Sequence, residues 1–330
     1  MKAVRFAAFG TPHRVAECVE VPEPGAPADG EVALEMEACP INPVDLLTIA
    51  GEYAVRPSLP AVAGSEGVGR VVEVGPGVHH LAVGDRVVPL GRETWVQRRV
   101  VKAREVIKAP ADADVLQLAM IKINPATAQL MLERYVELAS GEWVIQDAAN
   151  SAVGQHVVRL AQARGIHTAN IVRRDGLSES LRRIGADAVV VDGDDLPERV
   201  REQTGGAAIR LAIDAVAGEI CMRLGDCLAD GGIVVNYGLL SGRPCMLRPD
   251  QTVFRGITLT GFWLVKALGQ MQAAAIADLY GGLVRRVTEG RLRVEVEATY
   301  PIEAIADALE HAARSERGGK ILITPNGAPS

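Results

Sequence analysis

The stretch Glu142–Gly154, EWVIQDAANSAVG, decides the fold. Trp143, Val144, Ile145 and Gln146 make a short apolar run that reads as a buried strand, closed by the small residues Ala148, Ala149, Asn150 and Ser151. Val153, Val157, Leu160 and Ala161 then recur at the spacing of a helix that buries one face, and that helix is expected to open at Gly154. Strand, tight turn and helix make the βα unit that holds a pyrophosphate. Its backbone N–H groups and the positive helix end face the anion, with no side chain between them. Of a full G-x-G-x-x-G only the last glycine is present, with Ala149 and Ser151 at the first two places. By itself the pattern fits a βα turn in any α/β sheet equally well.

Downstream, HTANIVR, LSESLRRIG, AVVVD, LPERVREQTG, LAIDAVAG, EICMRLGDCLADG, GIVVNYG and ITLTGFW alternate apolar runs with helical patterns. Near-continuous apolar strands alternating with helices imply a doubly wound parallel sheet covered on both faces, an α/β fold. Upstream, from Met1 to about Lys108, short alternating strands broken by Gly and Pro suggest a β-barrel-like domain. The loops Pro40–Tyr53 and Leu59–Gly69 interrupt it. From Asp114 to Val136 the pattern is helical, with Pro125 beginning a second helix. After Trp263 a long helix to about Glu289, a strand RVEVEATY, a helix EAIADALEHAARS and a strand KILITP return to the first domain. The expected division is 1–118 completed by 265–330, with 119–264 as the nucleotide domain.

At 330 residues the chain suggests two domains of ordinary size, and with 48% hydrophobic and 23% charged residues both can bury a core. Lys plus Arg number 35 against 41 Asp plus Glu, a net charge of -6 that disfavours nucleic acid or an anionic membrane as partner. Apolar runs such as Gly232–Leu240 fall far short of the ~20 residues of a membrane helix. Met1 leads directly into KAVRFAAF with no targeting segment, so a cytoplasmic protein is expected. The cysteines Cys18, Cys39, Cys221, Cys227 and Cys245 are scattered and odd in number, which argues against a disulfide or structural zinc framework.

About 20 residues beyond the glycine turn, the end of the second strand chooses between dinucleotides, an acid gripping the ribose of NAD and arginine the extra phosphate of NADP. Arg173 and Arg174 stand there, followed by Asp175. Two guanidiniums offer the fork that a phosphate fits, which favours NADPH. A catalytic zinc of the Cys-His-acid type is not expected. The segment Gly64–Gly67 reads G-S-E-G, with Ser65 where such sites carry His, and only His79 and His80 cluster among the histidines.

The strings NPVDLLTIAGEY, PSLPAVAGSEGVG, INPATAQLML, EWVIQDAANSAVGQ, IVRRD, GGIVVNYG and GFWL, in this order, resemble the mitochondrial-type 2-enoyl thioester reductases. These are zinc-free members of the medium-chain dehydrogenase/reductase superfamily, and the likeness runs from about Val4 to Thr324. It implies a GroES-like catalytic domain, a Rossmann domain, NADPH, and reduction of a trans-2-enoyl group on coenzyme A or acyl carrier protein. It makes Tyr53 the catalytic residue. It assigns cofactor contacts to Asn124, Asn150, Ser151, Ala152, Val153, Arg173, Arg174, Tyr237, Gly238, Leu239, Leu240, Phe262, Trp263, Leu264 and Lys320, with no metal ligand. Asp175, Ser65 and a shortened PLGRETW depart from the family pattern, the last two near the expected acyl pocket.

Hydride addition to Cβ of an enoyl thioester places negative charge on Cα and the carbonyl oxygen. A phenol of pKa ~10 stays protonated at neutral pH and is able to donate to such a carbon. That is the role the resemblance implies for Tyr53, with donors around Phe262–Leu264 facing the oxyanion. Asn42 and Asp45 are expected to hold their loop by local hydrogen bonds. A homodimer is expected through the β-branched run ITLT. The alternatives are a quinone or enone reductase on the same NADPH site and, from another class, a non-catalytic nucleotide- or RNA-binding protein.

Overall fold

The computed structural model describes residues 1–329. The chain divides into two compact units, Met1–Ile123 together with the segment from Ala274 onward, and Asn124–Ala273.

The second unit is a six-stranded parallel sheet of Trp143–Gln146, His167–Val172, Ala188–Val191, Leu211–Asp214, Ile233–Asn236 and Thr258–Gly261. Across the sheet the order is 188–191, 167–172, 143–146, 211–214, 233–236, 258–261. The chain therefore winds outward twice from Trp143–Gln146. Ligands of such sheets bind at the carboxyl edge where the order reverses, here between 143–146 and 211–214. Successive strand residues point to opposite faces. Ile171 and Val190 pack with Leu196, Val200, Ile220 and Leu224 on one face, while Val172 and Val189 pack with Val158 and Leu181 on the other. Both faces are covered, so the strands have no polar side to show. Each fully buried Val, Leu or Ile contributes ~1.5–3 kcal/mol.

The helix of the phosphate turn spans Ala152–Gln162 and starts two residues before the expected Gly154. Ser151 is the reason: its hydroxyl accepts the Gly154 N–H at 3.1 Å and caps the helix from outside. The long helix expected after Trp263 is two, Leu264–Gly269 and Ala273–Thr288. Gly269 weakens the helical run, and tight bonds from Gln270 N to Ala267 O and Met271 N to Leu268 O close the first helix.

In the first unit the ten-residue strand Glu31–Pro40 is the hub. It pairs antiparallel with Val68–Val74, with Arg98–Lys102 and with Lys320–Thr324 near the end of the chain. Lys320–Thr324 is buried throughout and pairs in parallel with Val296–Pro301. A smaller sheet of Lys2–Phe6, Ala16–Glu20 and Ala61–Val62 shares the same core, in which Phe6, Leu34, Met36, Ile49 and Trp95 are fully buried. The late segment is stitched to the early one by polar bonds. Gln117 donates to Val294 O at 3.0 Å and accepts from Val294 N at 2.9 Å, and the Tyr280 hydroxyl donates to Lys122 O at 2.9 Å.

Candidate active site

The turn after Trp143–Gln146 is shaped for an anion. A Cβ on Gly154 would lie 2.5 Å from the carbonyl oxygen of Ala149, so only glycine lets the helix sit this close to the turn. Ala148 is left-handed at φ 42, which sharpens the bend. Ser151 takes up the Gly154 N–H, while the N–H groups of Ala152 and Val153, in the first turn, have no intrahelical acceptor. Asn150 is exposed, Ser151 and Ala152 are half-buried, and Val153 is buried.

Arg173 and Arg174 follow directly on the strand His167–Val172 and are exposed, as is Asp175, which opens a short 3-10 turn. Tyr237–Leu240 follow Ile233–Asn236. A Cβ on Gly238 would meet Ala215 O at 2.5 Å, and Leu240 N donates to that same oxygen at 3.1 Å, leaving Leu239 and Leu240 exposed. Tyr237 is half-buried with Ser151 in hydrogen-bond reach of its hydroxyl, and burial and the Asp147 carboxyl raise the phenol. Phe262 is buried and its N–H donates to Asn236 O at 2.8 Å, which removes it from the donors expected to face an oxyanion. Trp263 is 37% exposed and Leu264 half-buried, at the start of the helix Leu264–Gly269. All these groups follow the carboxyl ends of parallel strands and lie on one edge of the sheet. Asn124 is buried at the start of the helix Asn124–Arg134, which packs on Ala152–Gln162. A glycine cradle, a helix start and paired guanidiniums fit a dinucleotide phosphate such as NADPH carries.

Two buried carboxyls support this edge and went unread in the sequence. Asp214 accepts from Val216 N at 2.9 Å, from Ala217 N at 2.7 Å and from Asn236 Nδ2 at 3.0 Å. Asp147 accepts from Ala215 N at 2.7 Å, and burial followed by the neighbouring Asp214 charge pushes it well above the usual carboxylate range. The acids at the ends of the apolar runs VIQD and LAID were the available signal.

In the first unit Tyr53 is half-buried just beyond the helix Pro43–Ala50. Its N–H donates to Leu47 O at 3.1 Å, and the guanidinium carbon of Arg92 lies 5.7 Å from its ring centroid. Asn42 and Asp45 form a capping box at the start of that helix, Asn42 N donating to Asp45 Oδ2 at 2.8 Å. Behind them is a buried charged cluster. Glu66 accepts from Asn42 Nδ2 at 2.6 Å and from Ile123 N at 2.9 Å. Lys320 is buried, its ammonium donating to Asn42 Oδ1 at 2.5 Å and Ile41 O at 3.1 Å. Lys122 donates to Ser65 O at 2.5 Å and Gly91 O at 2.7 Å. Burial pushes the Glu66 carboxyl up and the Lys122 ammonium down, and lowers Lys320 to about 8 against the opposing pull of Glu66. Glu66, Lys122 and Arg92 were missed in the sequence; a lone lysine in the apolar run LAMIKINPATA was the visible sign.

Ser65 is buried, and the Cys39 thiol, also buried, donates to Thr94 O at 3.1 Å. Among the described residues no group of three or more His, Cys, Asp or Glu side chains is placed to hold a metal, and no helix is long and apolar enough to cross a membrane.

Comparison with known proteins places these units. An alcohol dehydrogenase GroES-like domain model matches residues 28–111 and a zinc-binding dehydrogenase model residues 152–280. The mitochondrial enoyl-[acyl-carrier-protein] reductase of Xenopus tropicalis is 36% identical over 86% of this chain and 84% of its own length, and that of Homo sapiens 33% over 98% and 88%. Among solved structures, a putative NADPH:quinone reductase from Bacillus thuringiensis is similar with a TM-score of 0.89 at 30% identity, covering 98% of each chain. The Etr1p/NADP/crotonyl-CoA complex is similar with a TM-score of 0.84 at 25% identity, over 98% of this chain and 99% of that one. One expectation is corrected: the cytoplasmic location, inferred from the lack of a leader before KAVRFAAF, is overturned by relatives named as mitochondrial. The residue at which a sequence opens does not report its address. With its GroES-like and Rossmann-type units and near-full-length likeness to these reductases, the chain belongs to the mitochondrial-type enoyl thioester reductases of the medium-chain dehydrogenase/reductase superfamily, NADPH-dependent oxidoreductases.

Proposed function

We propose that this chain reduces the C2–C3 double bond of trans-2-enoyl thioesters of coenzyme A or acyl carrier protein. The nucleotide domain, expected at 119–264, is read as the compact unit Asn124–Ala273, and the catalytic domain as Met1–Ile123 with the segment from Ala274 onward. The observation that carries the reading is near-full-length similarity to enoyl-[acyl-carrier-protein] reductases, joined to a strand edge shaped for a dinucleotide phosphate. NADPH, when bound, supplies the hydride that adds to Cβ. The residues Asn150–Val153 receive its pyrophosphate on helix-start N–H groups, and Arg173 and Arg174 take the extra phosphate. Asn124, Tyr237–Leu240 and Phe262–Leu264 shape the rest of the cofactor surface. Lys320 acts through Asn42, to which its ammonium is committed. Tyr53 donates a proton to the Cα that hydride addition leaves electron-rich, a step worth ~10²–10⁴ in rate. We read the chemistry as zinc-free, on the grounds of Ser65 in G-S-E-G and the Cys39 thiol turned to Thr94 O.

Likeness to a putative NADPH:quinone reductase at 30% identity favours a second reading, a quinone or enone reductase. NADPH oxidation measured in parallel with crotonyl-CoA, a longer enoyl-CoA and a quinone separates the two. Faster turnover of the thioesters is expected, and turnover of the quinone alone would overturn the first reading. We further propose a homodimer through the outer strand Thr258–Gly261, which has a sheet neighbour on one side only. A sedimentation mass of twice 35.0 kDa is expected, and one of 35.0 kDa would contradict it.

A further inference from the structure

The loop Gly91–Thr94 is held more firmly than a surface turn requires. The buried Lys122 ammonium donates to Gly91 O at 2.7 Å, and Arg99 Nη1 donates to Arg92 O at 2.6 Å. Glu93 N donates to Gly64 O at 2.7 Å, Thr94 Oγ1 to Glu66 O at 2.7 Å, and Cys39 Sγ to Thr94 O at 3.1 Å. Burial lowers both Lys122 and Arg99, so one buried and one half-buried cation are used to fix consecutive carbonyls. A Cβ on Gly64 would lie 2.5 Å from Thr94 Oγ1, so the opposing backbone is bare of any side chain. Within this frame Glu93 is left-handed at φ 64, a conformation that residues with a Cβ adopt only where their surroundings impose it.

The side chain these anchors deliver is Arg92. Its Nη2 donates to Thr48 Oγ1 at 3.1 Å, and Thr48 in turn donates to Val44 O at 2.6 Å on the helix Pro43–Ala50. Its guanidinium lies over the ring of Tyr53, 5.7 Å from the centroid. A planar cation stacks on an aromatic face in a way that an ammonium does not reproduce. The backbone of Tyr53 is fixed to Leu47 O, and Arg92 adds a restraint on the ring itself.

We propose that Arg92 is a positioning residue that holds the Tyr53 phenol in the orientation for proton donation, which rests on the reading of Tyr53 given above. The test is a double-mutant cycle on an enoyl-CoA with Tyr53→Phe, Arg92→Ala and both together. Arg92→Ala is expected to lower kcat by up to about 100-fold with the KM for NADPH unchanged, since small misplacements of a reacting group cost that much. Millimolar guanidinium should restore part of the loss, Arg92→Lys should restore little, and the double variant should be no slower than Tyr53→Phe alone. If the two losses multiply, or if Arg92→Ala raises the KM for enoyl-CoA and leaves kcat unchanged, Arg92 contacts the anionic carrier and the proposal falls. If Tyr53→Phe is itself neutral, the Tyr53 reading fails first, a different pattern. Should Arg92→Ala not fold, Arg92→Met keeps the bulk of the stem and carries the same cycle.

Discussion

The Asn42 amide donates to Glu66 Oε1 at 2.6 Å while its carbonyl oxygen accepts the Lys320 ammonium at 2.5 Å, so one neutral side chain joins two buried opposite charges. The neighbours leave a single orientation for the amide, carbonyl to the cation and NH₂ to the carboxylate.

Replacing Asn42 with leucine keeps the volume and removes both bonds. Glu66 then keeps the Ile123 N–H and Lys320 keeps Ile41 O, but each has lost its shorter bond inside the fold, and a loss of ~3 kcal/mol is expected, read as a lower urea midpoint with unchanged slope. A loss below about 1 kcal/mol would place the cluster with solvated pairs instead.

Lys320 makes stability depend on pH in the alkaline range. Between about 8 and the 10.5 of an unfolded lysine, the unfolded chain holds a proton that the folded chain has given up, so raising the pH through that window favours the fold. Denaturant unfolding at about pH 8 and about pH 10 should show the wild type gaining on the order of 1 kcal/mol relative to Lys320→Met. Parallel behaviour of the two proteins would show that Lys320 keeps its ordinary affinity for protons.

Replacing both Arg173 and Arg174 with alanine removes two forks from the end of the strand His167–Val172. The KM for NADPH should rise by ~10–100-fold with little change for NADH. Wild-type protein that uses NADH as well as NADPH would mean that Asp175 governs the site.

Tyr53→Phe keeps the ring and removes only the oxygen. On an enoyl-CoA, kcat and kcat/KM should fall together by ~10² or more, with NADPH affinity nearly unchanged. A variant with wild-type kcat, under conditions where chemistry limits the rate, would remove Tyr53 from the mechanism and leave water or the ribose hydroxyl as proton source.

The parallel sheet is legible in the sequence because strands covered on both faces leave runs such as AVVV and LAID, and their spacing admits little besides helices between them. The break between Leu264–Gly269 and Ala273–Thr288 is not, since Gln270, Met271 and Gln272 carry no strong stop signal and Gly269 alone is ambiguous. The phosphate turn is legible because it is local. The Glu66–Asn42–Lys320 arrangement joins residues up to 278 apart, and no window of sequence records such a meeting. Arg92 stands beside Tyr53 for the same reason: its loop accepts bonds from Lys122 and Arg99 and donates to Gly64 O and Thr48 Oγ1, partners from different parts of the first unit.

The first unit is built from both ends of the chain, with the second unit inserted at Ile123. On the ribosome this imposes an order of events. Residues 124–273 emerge as one continuous piece and have all their own sheet neighbours as soon as they are out. The hub strand Glu31–Pro40, made much earlier, has to wait for Lys320–Thr324, its antiparallel neighbour. At ~5–20 residues per second the roughly 200 residues between Ile123 and Thr324 take about 10–40 s. During that time Asn42 is without the lysine it bonds in the finished fold, and Cys39 and Pro40 are without the strand they pair with, a gap that a chaperone can cover.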